Sequence, residues 1–317
     1  MTDYELILEV TETINRTMDD LIQSSHYYLK TEDEEVLLES WIDTKNRLQE
    51  SVKRLREKAN RFFANKLNLL KSIFDTNKNF IATTHVNAEQ IKGKSISGYI
   101  FDITDAIPNT KYAEYLVAKY TTDLDALFQM LESDADEKQI RKFIHDNEMD
   151  RESVFKKLVG SDKPSVNIDK LNDTARFVYL KDTDKSTIDI TMDCISKIKS
   201  EYNGYSKALA QVNKEKKQFN DLLNAVTRLF DNIVKEKEGN IKVKSFTMSG
   251  RDFVRDKDKV GNAEGNDKVF INLFLSVKMP EVKWVLNTII LLLNNKYSAI
   301  NSKLRQDVKI LRVASQS

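Results

Sequence analysis

The stretch from Asp33 to Phe74 contains neither glycine nor proline. Within it, apolar side chains recur at alternating spacings of three and four residues, and only Lys45 and Lys66 interrupt the series. This is the a/d pattern of a heptad repeat, and it predicts one long helix. A small globule cannot cover a helix of this length, so the pattern also predicts a second long helix beside it.

A second heptad pattern runs from Ile195 to Ile233, inside a long bundle helix that we predict for residues 186–239. Gly204 is its weak point, and Lys216 interrupts its apolar seam as the two lysines interrupt the first. Two helices of matched length and period are expected to pack against each other in antiparallel fashion.

Residues 1–75 are predicted to form a helical hairpin of the same bundle. Residues 1–43 are strongly acidic and residues 45–71 are strongly basic, so antiparallel pairing brings unlike charges together. The expected neighbours are Glu5, Glu9 and Glu12 on one helix and Lys53, Arg54 and Arg56 on the other.

The rest of the chain is expected at the two ends of this bundle. Residues 76–185 are predicted to be a mixed, mostly helical insertion, with short strands or irregular chain before Tyr99. Residues 240–317 are predicted to be a small α+β domain. The expected fold class is therefore mainly α: an elongated, antiparallel, coiled-coil-like bundle with a β-β-α-β domain at its C-terminal end.

The β-β-α-β order rests on four segments. Ile241–Met248 and residues 269–277 are predicted strands because β-favouring or alternating side chains fill them. Pro280 is expected to open a helix over residues 281–306, and residues 308–313 are predicted to be the last strand.

A long polar loop, residues 249–267, separates the first two of these strands. Its Asp256 and Asp258 half-match a calcium-binding loop, but Val260 occupies a position that needs an oxygen ligand. We therefore interpret the loop as solvated, or as a partner contact through Arg251, Asp256 and Asp258.

The helix from residue 281 carries apolar side chains on nearly all sides between Trp284 and Leu293. One side is expected to cover the sheet, and the other needs either the bundle or another subunit. We favour a contact with another protein subunit. The expected contact residues are Trp284, Ile289, Ile290 and Leu293.

Arg47, Arg54 and Arg61 recur every seven residues on the first long helix, at positions expected to face solvent. Such a stripe could contact the phosphates of a nucleic acid. The plainer interpretation is a solvated face that pairs with the acidic first helix.

No pattern in the sequence indicates catalysis. His26, His85 and His145 lack metal-ligand spacing, Cys194 is the single cysteine, and no glycine-rich phosphate loop is found. We expect no enzyme activity, no cofactor and no metal. The net charge of +1 predicts no general attraction to nucleic acid or to a membrane. The short apolar runs predict no membrane span, and the acidic residues from Asp3 onward predict no signal peptide.

In composition the chain is rich in Lys, Asn and Ile, and in texture it resembles the helical structural proteins of large tailed bacteriophages. That resemblance implies a non-enzymatic assembly protein in a virion, a homo-oligomer or part of a larger assembly. A cytoplasmic protein of an AT-rich bacterium has the same texture. The alternative function is that of a coiled-coil nucleic-acid-binding adaptor that uses the arginine stripe.

Overall fold

In the computed structural model, the residues described are 9–16, 19, 34–101, scattered positions from 112 to 130, 135–159, 184–247 and 277–316. They are mainly helical, with one small antiparallel sheet. The elements in chain order are α1 (Glu34–Thr83), α2 (Ala88–Ile91), β1 (Ser95–Gly98), α3 (Glu137–Asp146), α4 (Arg151–Val159), β2 (Ser186–Asp189), α5 (Met192–Thr247) and α6 (Met279–Ser315).

The predicted first long helix is confirmed and is longer than expected, since α1 continues past Phe74 to Thr83. Its predicted seam is buried at Val52, Leu55, Ala59, Phe62 and Lys66. Beyond Lys66 the predicted Leu69 is half-buried, and its neighbour Leu70 is buried instead. Burial of Val52, Leu55 and Phe62 contributes about 1.5–3 kcal/mol each, so packing of this stripe, more than helix propensity, stabilises α1.

The second long helix, α5, begins at Met192 and not at residue 186 as predicted. The segment Ser186–Asp189 forms a strand instead. The Thr191 hydroxyl accepts a hydrogen bond from the Cys194 backbone at 3.1 Å, which caps the first turn. The helix also continues through Gly239 to Thr247. The domain boundaries drawn at residues 75, 185 and 239 stay predictions.

The predictions of a strand at Ile241–Met248 and of a strand at residues 308–313 are wrong. Residues 241–247 continue α5, and residues 308–313 lie inside α6, which runs nine residues beyond Gln306 to Ser315. The buried side chains there include Val308, Leu311 and Ala314, a three-residue spacing that belongs to a helix and not to a strand. The predicted strand 269–277 lies outside the described residues, except for Val277, which lies in a π-helical turn that leads into α6.

The sheet joins two segments that are far apart in the sequence. β1 pairs with β2 in antiparallel register, with Ser95 opposite Asp189 and Ile96 opposite Ile188. Ile96 is buried and Ile188 half-buried on one face, whereas Ser95 and Asp189 are exposed on the other. The ladder therefore ties the chain that follows α1 to the chain that precedes α5.

The chain divides into two compact units. The first is drawn from Met1–Lys58, Thr110–Asp150 and Phe219–Asn287. The second is drawn from Ala59–Asn109, Arg151–Gln218 and Thr288–Ser317.

In the first unit, the helical residues 9–16 contact α6 and α1. The side-chain amide of Asn287 donates to Asn15 at 2.8 Å, and Lys283 pairs with Asp19 at 2.8 Å. Lys58 of α1 pairs with Glu9 at 3.2 Å, so the predicted pairing of the acidic N-terminal helix with the basic helix is found at this position.

In the second unit, segments of α1, α5 and α6 pack side by side. Tyr202 of α5 stacks on Phe74 of α1 with ring centroids 4.7 Å apart, and its hydroxyl donates to the Phe74 carbonyl. Lys199, earlier in α5, donates to the carbonyl of Thr84, so these segments of α1 and α5 run antiparallel. The Arg312 guanidinium of α6 lies 5.9 Å from the Phe80 ring centroid.

Candidate functional site

A carboxylate lies fully buried between the helices of the second unit. Glu215 of α5 has no exposed surface, and its two oxygens accept hydrogen bonds from the Lys296 ammonium and the Tyr297 hydroxyl of α6. Both α6 residues are also buried. Since a buried charge is costly unless it is paired and hydrogen-bonded, the three groups form one interdependent set.

The third helix contributes Lys66, which is 1 % exposed. Its ammonium lies 5.7 Å from the centre of the Phe62 ring, and that ring packs 6.4 Å from the ring of Tyr297. We call Lys66, Glu215, Lys296 and Tyr297 the buried polar layer. It draws residues from α1, α5 and α6.

The buried polar layer can fix the position of α6 along α5. A one-turn slip of α6 along α5 would remove the Lys296 ammonium and the Tyr297 hydroxyl from Glu215 and leave an unpaired charge in the core. Such a misalignment is strongly unfavourable, so a buried polar layer fixes which turn of one helix faces which turn of the next.

A second set of buried charges holds the start of α6 in the first unit. Lys278 is fully buried, donates to the carbonyl of Asn147 and lies 3.3 Å from Glu281. The other oxygen of Glu281 accepts the backbone N–H of Met149 at 2.9 Å. These bonds join the start of α6 to the turn that follows α3.

Tyr120 lies against this set. Its ring centre is 5.7 Å from the Lys278 ammonium, and its hydroxyl is 3.7 Å from the sulfur of Met149. Burial, reinforced by the negative charge of Glu281, holds the pKa of Tyr120 far above its usual range. Tyr120 is therefore a neutral packing and hydrogen-bonding group.

A third, half-exposed set lies between α5 and α6 in the second unit. Lys303 bonds Glu201 at 2.6 Å and Asp307 at 2.9 Å. Burial lowers the pKa of Lys303, but the two carboxylates outweigh it and raise the pKa overall. Burial, together with Asp307, raises the pKa of the Cys194 thiol, which is the opposite of what activates a nucleophilic cysteine.

The apolar residues predicted to contact a partner are covered by the chain itself where they are described. Ile289, Ile290 and Leu293 are fully buried, and Trp284 is half-buried. The first three are therefore covered within the chain, and a partner contact at Trp284 stays a prediction. The predicted contact residues Arg251, Asp256 and Asp258 lie outside the described residues.

The predicted arginine stripe lies on α1. Arg61 is exposed, and Arg54 is 70 % exposed and pairs with Glu50 of its own helix at 3.4 Å. Arg56 donates to Asn224 of α5 at 2.6 Å. The side chain of Arg47 lies outside the described residues, although its backbone is helical.

The remaining candidate groups are dispersed. His85 and His145 are exposed, His145 lies 3.4 Å from Glu148, and His26 lies outside the described residues. Within the described part of the chain, no three His, Cys, Asp or Glu side chains come together as a metal site would require. Among the same residues, no helix is both long enough and apolar enough to cross a bilayer.

The buried polar layer was missed in the sequence. We assigned Lys216 to the apolar seam of α5, but Lys216 is half-buried and Glu215 is the fully buried neighbour. A signal was present: Glu215 lies three residues after Val212 and four before Phe219, both buried. Lys296 and Tyr297 likewise follow the apolar run of α6 at the period of its buried face.

No protein-family model matches the chain, and neither a curated protein nor a solved structure matches it at a significant level.

Proposed function

We propose that the chain is a non-enzymatic structural or assembly protein that acts through contacts with other protein subunits. The observation that supports this most directly is the buried polar layer, in which Glu215 joins α5 to α6 through Lys296 and Tyr297. A structural component must hold long helices at a constant alignment, and buried paired charges serve that purpose at some cost in stability.

The finer architecture belongs to the same proposal. Long helices that pack as a coiled-coil-like bundle provide spacing and repeated contact surfaces rather than a concave pocket. The side-by-side contacts of α1, α5 and α6 in the second unit support such a bundle. Its placement in a bacteriophage virion rests on the resemblance in sequence texture.

Mass photometry of the full chain, alone and mixed with its native source material, tests this function. The proposal expects species heavier than the 36.7 kDa chain. A chain that stays monomeric at micromolar concentration and acquires no partner contradicts it.

The alternative function is nucleic-acid binding through α1. The exposure of Arg54 and Arg61 supports it, because phosphate contacts require free guanidinium groups. The ion pair of Arg54 with Glu50 weighs against it, since the carboxylate would have to release the arginine.

A further inference from the structure

The two outer edges of the small sheet differ. The Ile190 N–H donates to the Lys94 carbonyl at 2.9 Å, which makes 94/190 a hydrogen-bonded pair. In an antiparallel ladder such pairs alternate, so the main-chain groups of Tyr99 point away from β2. The side-chain amide of Gln306 takes both of them, at 2.9 Å each, as a neighbouring strand would. Gln306 of α6 thereby closes the outer edge of β1 at this position.

The outer edge of β2 is different. By the same alternation, the N–H and C=O groups of Thr187 and Asp189 point away from β1. Both residues are exposed. These main-chain groups have no hydrogen-bond partner among the residues that the structure describes. Such an edge is a template for another strand.

We propose that β2 pairs with β2 of a second copy of this chain, in antiparallel fashion about a two-fold axis at Thr187. This register places Lys185 of each copy opposite Asp189 of the other. It therefore creates two unlike-charge pairs on the exposed face, with a threonine pair between them. An axis centred on Ser186 or Ile188 would lose both charge pairs. Charge complementarity therefore favours a second copy of this chain as the partner, and it favours the register centred on Thr187.

Among the described residues, neither charged group on this face is held in an ion pair. Lys185 is exposed, and its ammonium lies 5.8 Å from the centre of its cross-strand neighbour, the Tyr99 ring. Asp189 is opposite the neutral Ser95. Neither charge has an opposite charge across its own sheet, so pairing with a second copy does not displace an existing ion pair there.

The contact is small, and it rests on the proposed assembly function. A five-residue strand pair makes about six main-chain hydrogen bonds. It buries much less than the roughly 800 Å² per partner of a standard stable interface. The pairing is therefore expected to be concentration-dependent and to add to the other contacts of an assembly.

Cysteine cross-linking tests the register. In a Cys194→Ser background, Thr187→Cys places two thiols at opposing positions about 5.5 Å apart between Cα atoms, within disulfide range. Ser97→Cys is the matched control, because it lies on the same exposed face but about 14 Å from its copy at 4.8 Å per strand. Mild oxidation of the full chain should yield a covalent dimer with Thr187→Cys and not with Ser97→Cys. Equal yields, or a product that contains a different protein instead of a second copy, would overturn the proposal.

Charge exchange tests the partner contacts. Lys185→Asp or Asp189→Lys alone places like charges opposite each other at both symmetry-related 185/189 pairs. Either single variant should weaken self-association about three- to tenfold. The double exchange Lys185→Asp with Asp189→Lys should restore it to within about twofold of the natural chain. Oligomers that persist unchanged through all three variants refute the β2 contact but leave the assembly function standing. A natural chain that is monomeric throughout refutes both.

Discussion

The side chain of Gln306 pairs with the main chain of Tyr99 through two hydrogen bonds of 2.9 Å, one in each direction. One amide on α6 thereby takes the place of a third strand. The contact leaves no room at the preceding residue, since a Cβ on Gly98 would lie 2.4 Å from the Gln306 oxygen. The hydrogen bonds of Gln306 with Tyr99 therefore require glycine at position 98.

This relationship predicts a non-additive pair of substitutions. Gly98→Ala should destabilise the chain by about 1–3 kcal/mol, because the new methyl group displaces the Gln306 amide and breaks both bonds. Gln306→Ala should cost about 1–2 kcal/mol. In the double variant, Gly98→Ala should cost clearly less than it does alone. Thermal unfolding of the four proteins measures the coupling, and strict additivity would argue against the contact.

The buried polar layer predicts a large loss of stability when Glu215 alone is replaced. Glu215→Ala leaves the Lys296 ammonium buried without its carboxylate and should cost about 3–5 kcal/mol in stability. Pairing Glu215→Leu with Lys296→Met should recover much of that loss, because the Lys296 ammonium is removed together with its carboxylate and only Lys66 keeps its charge in the layer. Lys214→Ala, at the exposed neighbouring position, is the control and should change stability by less than about 0.5 kcal/mol. Urea unfolding gives each value, and a Glu215→Ala variant as stable as the control would contradict the role of the layer.

The environment of Tyr202 predicts that the stability of the folded chain depends on pH in the alkaline range. Burial, together with the charge of Asp75, raises the pKa of Tyr202 to about 12 from its usual 10.0. Because folding raises the pKa of Tyr202, the folded state favours the protonated hydroxyl more than the unfolded state does. The hydroxyl therefore contributes its full share of the free energy of unfolding below pH 10, and this share is lost between pH 10 and 12.

Tyr202→Phe removes this titration along with the hydrogen bond to the Phe74 carbonyl. The variant should therefore be about 1 kcal/mol less stable near pH 8, and the gap should narrow as the pH rises towards 12. Differential scanning calorimetry at several pH values tests it. A gap that stays constant with pH would show that Tyr202 does not titrate differently on folding.

The arginine stripe supplies the test of the alternative function. If α1 binds nucleic acid, replacing both Arg54 and Arg61 by alanine should weaken binding to duplex DNA and lower its salt dependence by about two units of slope. Lys71→Ala, another exposed cation on α1, is the control for general loss of charge. Fluorescence anisotropy at several salt concentrations measures both. No binding at low salt removes the alternative.

The long helices were predictable because their signal is repeated many times. Val52, Leu55, Ala59 and Phe62 follow the 3/4 spacing, and each is buried as the spacing requires. The end of α6 was mispredicted because Val308 and Ile310 alternate as in a strand. The same segment also has the helical spacing of Val308, Leu311 and Ala314, and the helix that leads into it continues without a stop signal.

The sheet and the buried polar layer depend on long-range contacts, which leave little trace in local sequence. β1 and β2 are four residues each, and their pairing is specified only by what surrounds them in the folded chain. Similarly, Glu215 looks like a surface acid among lysines until α6 brings Lys296 and Tyr297 beside it. Helical period could have placed Glu215 on the buried face, but not named its partners.

Sedimentation velocity over a concentration series tests the central claim, that this chain works by assembling with other subunits, most directly. The assembly account predicts that the weight-average sedimentation coefficient rises with concentration through the micromolar range, and that single charge exchange at Lys185 or Asp189 reduces the rise. A single species with the mass of one 36.7 kDa chain at every concentration, unaffected by addition of native source material, would contradict it.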